Sequence, residues 1–286
     1  MNFAELYEKL AQANNAAYMA MAAESEGQDG YTDYSEFIRK ADERIEARIS
    51  EIQNDTADWG SEQWSALFYC HIDHGDPEIS AYIIKRIAEA CGEGFFAERI
   101  RENSECLRED VYSNGDDKNA LKASDTLFTA VKALNHVDLG GADDAVIAAF
   151  DMCNPVNDHI AHALAEYISR ECAGKICEYI ADENFSFDKL TTLLSMYVSQ
   201  KKRDDKIYQA LKNKFKMLPD GSADKSMFAL ILGDYGEPNA ILVLRKYIKK
   251  LLGIYADNHD KELFSNIMMI SSAIEALGGA ADDLFA

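Results

Sequence analysis

The chain has 286 residues, with 29 lysines and arginines against 50 aspartates and glutamates, so its formal charge is −21 at pH 7. Four prolines are about 1.4% of the residues, where roughly 5% is usual. That deficit argues against a β-sandwich, a collagen-like chain or a proline-rich linker, and favours long helices free of a residue that lacks an amide donor.

The opening Met1-Asn2-Phe3-Ala4-Glu5-Leu6 has no basic stretch followed by an apolar run, so no secretory leader is expected. No segment approaches the roughly 18 consecutive apolar residues of a membrane span. Six cysteines (Cys70, Cys91, Cys106, Cys153, Cys172 and Cys177) fall in helix-like segments and never form Cys-x-x-Cys. They are expected as free thiols in a reducing compartment, which places the protein in the cytoplasm. Phe3, Leu6, Leu10, Ala17 and Met21 predict a first helix, and Phe37, Ile38, Ala41, Ile45, Ile49 and Ile52 a second. The loops Gly27–Gly30 and Asn54–Gly60 follow them. Residues 1–60 are therefore expected as an N-terminal helical cap, or as an ordinary helix pair whose turn signals are lost. Further along, Phe96, Ile100, Leu107 and Val111 recur at steps of four, seven and four, which predicts one helical face.

Three turns punctuate the chain: Gly75-Asp76-Pro77, Cys153-Asn154-Pro155 and Gly236-Glu237-Pro238. In each, a polar or acidic residue precedes a proline, the arrangement of an N-cap followed by a first helical residue that needs no donor. The prolines lie 78 and 83 residues apart, about twice the 40 to 47 residues of a two-helix solenoid repeat. Intermediate turns are then expected near Asn114–Asp117 and Gln200–Asp205, and a last helix over Asp260 to Leu277, before Gly278-Gly279.

Leu232-Gly233-Asp234-Tyr235-Gly236-Glu237-Pro238-Asn239-Ala240-Ile241-Leu242-Val243-Leu244 resembles the bacterial HEAT-like repeat, in which Leu-Gly ends one helix, a Gly-acid-Pro turn follows and spaced leucines open the next. His74-Gly75-Asp76-Pro77-Glu78-Ile79 is a weaker copy, and the segment from Cys153 to Ile168 keeps only Asn-Pro. The resemblance covers residues 61–279. It implies an all-α chain, a right-handed α-solenoid of the HEAT or armadillo kind with five to six helix pairs, followed by a flexible tail over 280–286. Such a fold implies binding more than chemistry.

Catalytic signatures are absent from the sequence: Gly92-Glu93-Gly94 is a truncated dinucleotide fingerprint between helices, and no Walker loop, nucleophile elbow or His-Glu-x-x-His string occurs. His71 and His74, with Asp76, and His159 and His162, with Cys153 and Asp158, share a His-x-x-His spacing and are the candidate metal ligands. The repeated His-Glu dipeptides of HEAT-repeat iron hydroxylases are missing, and both clusters sit at helix ends, where a histidine serves the terminal carbonyls. No metal, cofactor or enzymatic activity is therefore expected.

Charge carries more information. Residues 1–150 hold 13 basic and 30 acidic side chains, net −17, whereas residues 151–286 hold 16 and 20, net −4. Glu98, Glu102, Glu105 and Glu109 would line the outer face of the helix that buries Ile100, Leu107 and Val111, either as a solvated face or as a docking stripe for a basic partner. Lys201, Lys202, Arg203, Lys206, Lys212, Lys214 and Lys216 form one basic cluster, and Arg245, Lys246, Lys249 and Lys250 a second. Stacked repeats would join them.

These features predict a non-enzymatic protein-binding scaffold whose inner surface comes from helices starting at Pro77, Asp117, Pro155, Asp204 and Pro238, with Glu78, Lys85, Glu89, Lys246 and Lys249 as contact positions. A narrower version neutralises a basic partner, a toxin or nucleic-acid-binding protein, through electrostatic steering. The alternatives are a metal-dependent enzyme and a nucleic-acid-binding solenoid. The net charge opposes the second, as does aromatic interleaving limited to Tyr208, Phe215 and Tyr247.

Overall fold

A computed structural model describes residues 34–69, 77–92, 94–111 and 117–285. The expected first helix, the loop Gly27–Gly30, Cys70, the turn Gly75-Asp76, Asn114, and the candidate ligands His71 and His74 lie outside those residues. Among the described residues there are thirteen α-helices and no strand, so the all-α expectation holds. None of those helices is long and apolar enough to cross a membrane. The chain divides into two compact units, Met1–Met152 and Cys153–Ala286, a boundary inside the segment expected to carry repeats.

The first unit contains α1 (Tyr34–Asp55), α2 (Ser61–Phe68), α3 (Pro77–Cys91), α4 (Phe95–Asn103), a 3₁₀ turn (Ser104–Arg108), α5 (Lys118–His136) and α6 (Asp143–Met152). Helix α1 packs on α3 and α3 on α5, while α4 packs on α6, so second neighbours along the chain touch, as do the immediate neighbours α2 and α3, and α4 and α5. The core is aromatic at one end. Trp64 is fully buried, edge-on to Trp59 at 5.2 Å, and Phe68 meets the rings of Phe95 and Phe96 at 5.3 and 5.8 Å. Asp117 caps α5 as expected, its side chain accepting from the amides of Asn119 and Ala120.

The second unit contains α7 (Asp158–Glu171), α8 (Ala173–Ala181), α9 (Phe187–Ser199), α10 (Asp205–Met217), α11 (Ala223–Asp234), α12 (Ala240–Asn258) and α13 (Lys261–Ala276), then a short 3₁₀ turn (Asp282–Leu284). Helices α7, α9, α11 and α13 pack side by side in one row. In a second row α8 packs on α10, and Phe215 of α10 meets Tyr247 of α12 edge-on at 5.1 Å. The last helix begins and ends where its periodicity predicts, with Asp260 accepting from the Glu262 amide.

Two of the three proline turns sit differently from expectation. Pro77 opens α3, but α7 starts at Asp158 and α12 at Ala240. Asn154 uses its side chain on the Val156 amide at 3.2 Å, closing a local turn, and Glu237 does the same for Asn239. Between α7 and α10 the chain makes two helices, α8 and α9, so the helices at Asp158 and Asp205 fall in different rows. A recurrence that the proline spacing hid lies within one row. Ser186-Phe187-Asp188-Lys189 opens α9, and Ser222-Ala223-Asp224-Lys225 opens α11 36 residues later, each serine hydroxyl accepting from the lysine amide.

Glycine has a packing task at Gly233 on α11. A methyl group there would lie 2.6 Å from the Ala273 Cβ of α13, so the absent side chain sets how closely these two helices approach. Three residues on, Gly236 takes a φ of +78° and turns the chain toward α12.

Candidate functional site

The acidic stripe of the first unit is not a continuous helical face. Ile100, Leu107 and Val111 are buried as predicted, but α4 ends at Asn103 and tightens into the 3₁₀ turn. The Asn103 amide donates to the Arg99 carbonyl at 2.7 Å and the Ser104 hydroxyl to that of Ile100, side-chain bonds that compete with regular helix propagation. The carboxylates are also locally compensated. Arg99 lies 3.2 Å from Glu102 and 3.9 Å from Glu98, and Arg108 lies 2.7 Å from Glu105. Glu109 is exposed at the end of the turn. Exposed pairs of this kind contribute about 0 to 1 kcal/mol each, and they blunt the stripe as a source of field. Glu78, Lys85 and Glu89 are exposed on α3.

His159 is exposed, and His162 is committed to its own helix, its Nδ1 2.8 Å from both the Asp158 carboxylate and the Asp158 carbonyl. Among the described residues no group of three His, Cys, Asp or Glu side chains is placed to hold a metal ion. Cys91, Cys106 and Cys177 are free thiols.

The two rows of the second unit differ in sign. On α8, α10 and α12 the charged side chains are Lys175, Lys206, Lys212, Lys214, Lys216, Arg245, Lys246, Lys249 and Lys250 against Glu178, Asp205 and Asp257, nine cations to three carboxylates, none of them buried. On α7, α9, α11 and α13 the carboxylates are Asp158, Glu166, Glu171, Asp188, Asp224, Asp234, Glu262 and Glu275. Arg170 and Lys261 are the only unburied lysine or arginine side chains of that row. Its other two lysines, Lys189 and Lys225, are 6% and 5% exposed.

Both buried lysines stand at the third position of their helices. Lys189 Nζ lies over the Phe185 ring at 5.1 Å. Lys225 Nζ lies 2.7 Å from both the Asp220 carboxylate and the Leu218 carbonyl, between the rings of Phe215 and Tyr247. Asp220 also receives Lys250 of α12 at 2.9 Å, and these two lysines hold its carboxyl below the ordinary range. Thus a net charge near −4 conceals one acidic and one basic row.

Two lysines, Lys202 before α10 and Lys214 on it, are anchored to the ends of earlier helices. Lys202 donates to the Arg170 carbonyl at 3.0 Å and Lys214 to the Asp182 carbonyl at 3.2 Å, near the C-termini of α7 and α8. Lys246 and Lys249, by contrast, are exposed along α12, in line with Leu242, which is 68% exposed. Met217 at the end of α10 is 69% exposed and Ile254 borders the same row. The aromatic residues among these lysines, Tyr208, Phe215 and Tyr247, are all buried.

Among the described residues the second unit carries nearly all the exposed large apolar side chains, including Met227, Phe264, Met268 and Met269 on α11 and α13; in the first unit the single such residue is Tyr69. Sequence reading missed this asymmetry because those residues fit helical periodicity as well as core residues do.

The C-terminal segment, expected as a tail, lies on α12. Arg245 donates to the Ala280 carbonyl and, at 2.6 Å, to the Asp283 carboxylate, and Ala281 is 1% exposed.

No family model, curated protein or solved structure matches the chain.

Proposed function

We propose that the protein is a non-enzymatic binding scaffold, an α-solenoid of the HEAT-like kind, that docks a protein partner on the basic row α8, α10 and α12 of its second unit. The observation that carries this reading is the segregation of charge: nine unburied cations on one row, interspersed with exposed Leu242 and Met217, and carboxylates on the other. The second-neighbour packing of helices in both units supports the solenoid, and Cys91, Cys106 and Cys177 as free thiols suit a reducing compartment such as the cytoplasm.

A protein partner fits this row better than nucleic acid. Binding to single strands relies on exposed aromatic platforms, and here Tyr208, Phe215 and Tyr247 are covered. Exposed Leu242 and Met217 have no use against a phosphate backbone, whereas interfaces anchor on such side chains inside a charged rim. The overall charge of −21 further opposes a polyanion at long range.

The test is affinity capture with the full chain as bait, comparing wild type with Lys246→Glu/Lys249→Glu. A partner retained by wild type at low salt, released by salt and lost with the variant is the expected result. Equal retention by both sinks the assignment of the surface.

The excess of 30 carboxylates over 13 cations in residues 1–150 favours a second reading, neutralisation of a basic partner. Its stripe Glu98, Glu102, Glu105 and Glu109 is partly spent on Arg99 and Arg108. This reading requires capture to survive the α12 substitutions and to fail on charge reversal of the first unit.

A further inference from the structure

A segment of the chain itself is seated on the basic row. The segment Ala280-Ala281-Asp282-Asp283-Leu284-Phe285 combines two carboxylates with two large apolar side chains, and it is seated on α12. The seat is specific. Arg245 grips the segment at two points, the Ala280 carbonyl and the Asp283 carboxylate, while Asp283 also feels the field of Lys249 one turn on. Ala281 is buried, and the 3₁₀ turn is closed by the Leu284 amide on the Ala281 carbonyl at 2.9 Å. Yet the closure is light: Asp283 is 63% exposed and Phe285 42%. Leu242 also remains in solvent, one turn before Arg245.

We propose that this segment is a displaceable cover, and that the Arg245–Lys249 face of α12 takes an acidic, apolar peptide segment of a protein partner in its place. The inference rests on the scaffold reading above and gives its partner a chemistry. A partner segment repeating the pattern of two carboxylates followed by large apolar residues reproduces the bond to Arg245. It adds what the cover leaves unused, contact with Lys246 and Leu242. The cover makes the site selective, because a weak anionic ligand must compete with a tethered one. With an effective concentration on the order of 1 mM for a short tether and a free-peptide Kd on the order of 0.1 mM, the closed cover weakens an incoming peptide about tenfold.

The experiment uses the full chain and a fluorescent peptide of residues 278–286, followed by anisotropy. Asp283→Lys places a cation against Arg245 and releases the cover without shortening the protein; circular dichroism confirms that the fold persists. The expected result is binding to Asp283→Lys about tenfold tighter than to wild type, weakening with salt. A peptide carrying the same Asp283→Lys change should not bind. Adding Arg245→Ala to the released protein should abolish binding, while Lys122→Gln, at an exposed position of the first unit, should leave it unchanged. Equal affinity for wild type and Asp283→Lys overturns the cover, and absence of binding to the released protein overturns the peptide site. In either case capture of a partner that is lost with Lys246→Glu/Lys249→Glu would still stand as an independent result, so the two readings fail separately.

Discussion

Lys225 Nζ lies 2.7 Å from Asp220 Oδ1 beneath the rings of Phe215 and Tyr247, and the same carboxylate reaches Lys250. The two ends of the pair are unequal, since Lys225 is buried whereas the Asp220 side chain is 34% exposed. Asp220→Asn strands a buried ammonium with only a carbonyl and ring faces, and should cost on the order of 2 kcal/mol. Lys225→Met leaves the carboxylate with Lys250 and water and should cost less. Urea denaturation at pH 7 measures both. Because the folded carboxyl is held below its ordinary value, its contribution is present above about pH 4 and lost as the pH falls further. The advantage of wild type over Asp220→Asn should therefore shrink in acid.

At the contact of α11 with α13, Gly233→Ala would drive a methyl group into Ala273. Overpacking of this kind costs about 1 to 3 kcal/mol, against a gain of about 1 kcal/mol in helix propensity. A net loss is expected by denaturant titration. The double variant Gly233→Ala/Ala273→Gly should recover much of it, which separates the steric effect from a general intolerance at the site.

Tyr197, Tyr208 and Tyr235 form a stacked group in the second unit, and the Tyr235 hydroxyl both accepts from the Asp204 amide and donates to its carbonyl. Burial, and then the neighbouring Tyr235 and Asp204, push the Tyr197 phenol up to about 12. A phenol raised in the folded state favours folding below its unfolded pKa of about 10 and withdraws that support as the pH climbs toward 12. Stability should accordingly fall between pH 10 and 12, and Tyr197→Phe should show a smaller fall.

Surface charge should matter little to stability. Glu102→Gln and Glu105→Gln each break an exposed pair and should shift it by less than about 0.5 kcal/mol. Lys246→Glu/Lys249→Glu should do likewise, because neither side chain is buried. A large shift in melting temperature for either set would mean that these residues support the fold and would undo their use as binding probes.

The helices were legible in the sequence wherever a strong period met a clear cap. Asp117, Asp204 and Asp260 each accept a helix-opening amide, and Leu232-Gly233 closes α11 almost where the repeat resemblance places its end. Row membership was not legible. Proline spacing tracks turns, and the extra helix between α7 and α10 changes the row without changing the turn chemistry. The acidic stripe was legible as a solvated face, with Arg99 and Arg108 close enough in sequence to offset it, and both arginines do pair with its glutamates; the end of α4 at Asn103 was not legible. Charge counting erred at Lys189 and Lys225, which a sequence counts as surface cations and the structure removes from the surface. The exposed methionines and leucine of the second unit carry no local signal that separates them from core residues.

The opposed rows of the second unit bear on how the proposed partner would arrive. Charges of opposite sign on two sides of one stack form a dipole transverse to its axis, and a dipole in the field of a charged partner experiences torque as well as attraction. Within about 8 to 10 Å, the reach of electrostatics at moderate salt, this local dipole favours an approach in which an anionic segment meets α8, α10 and α12, so the contact is oriented before any side chain touches.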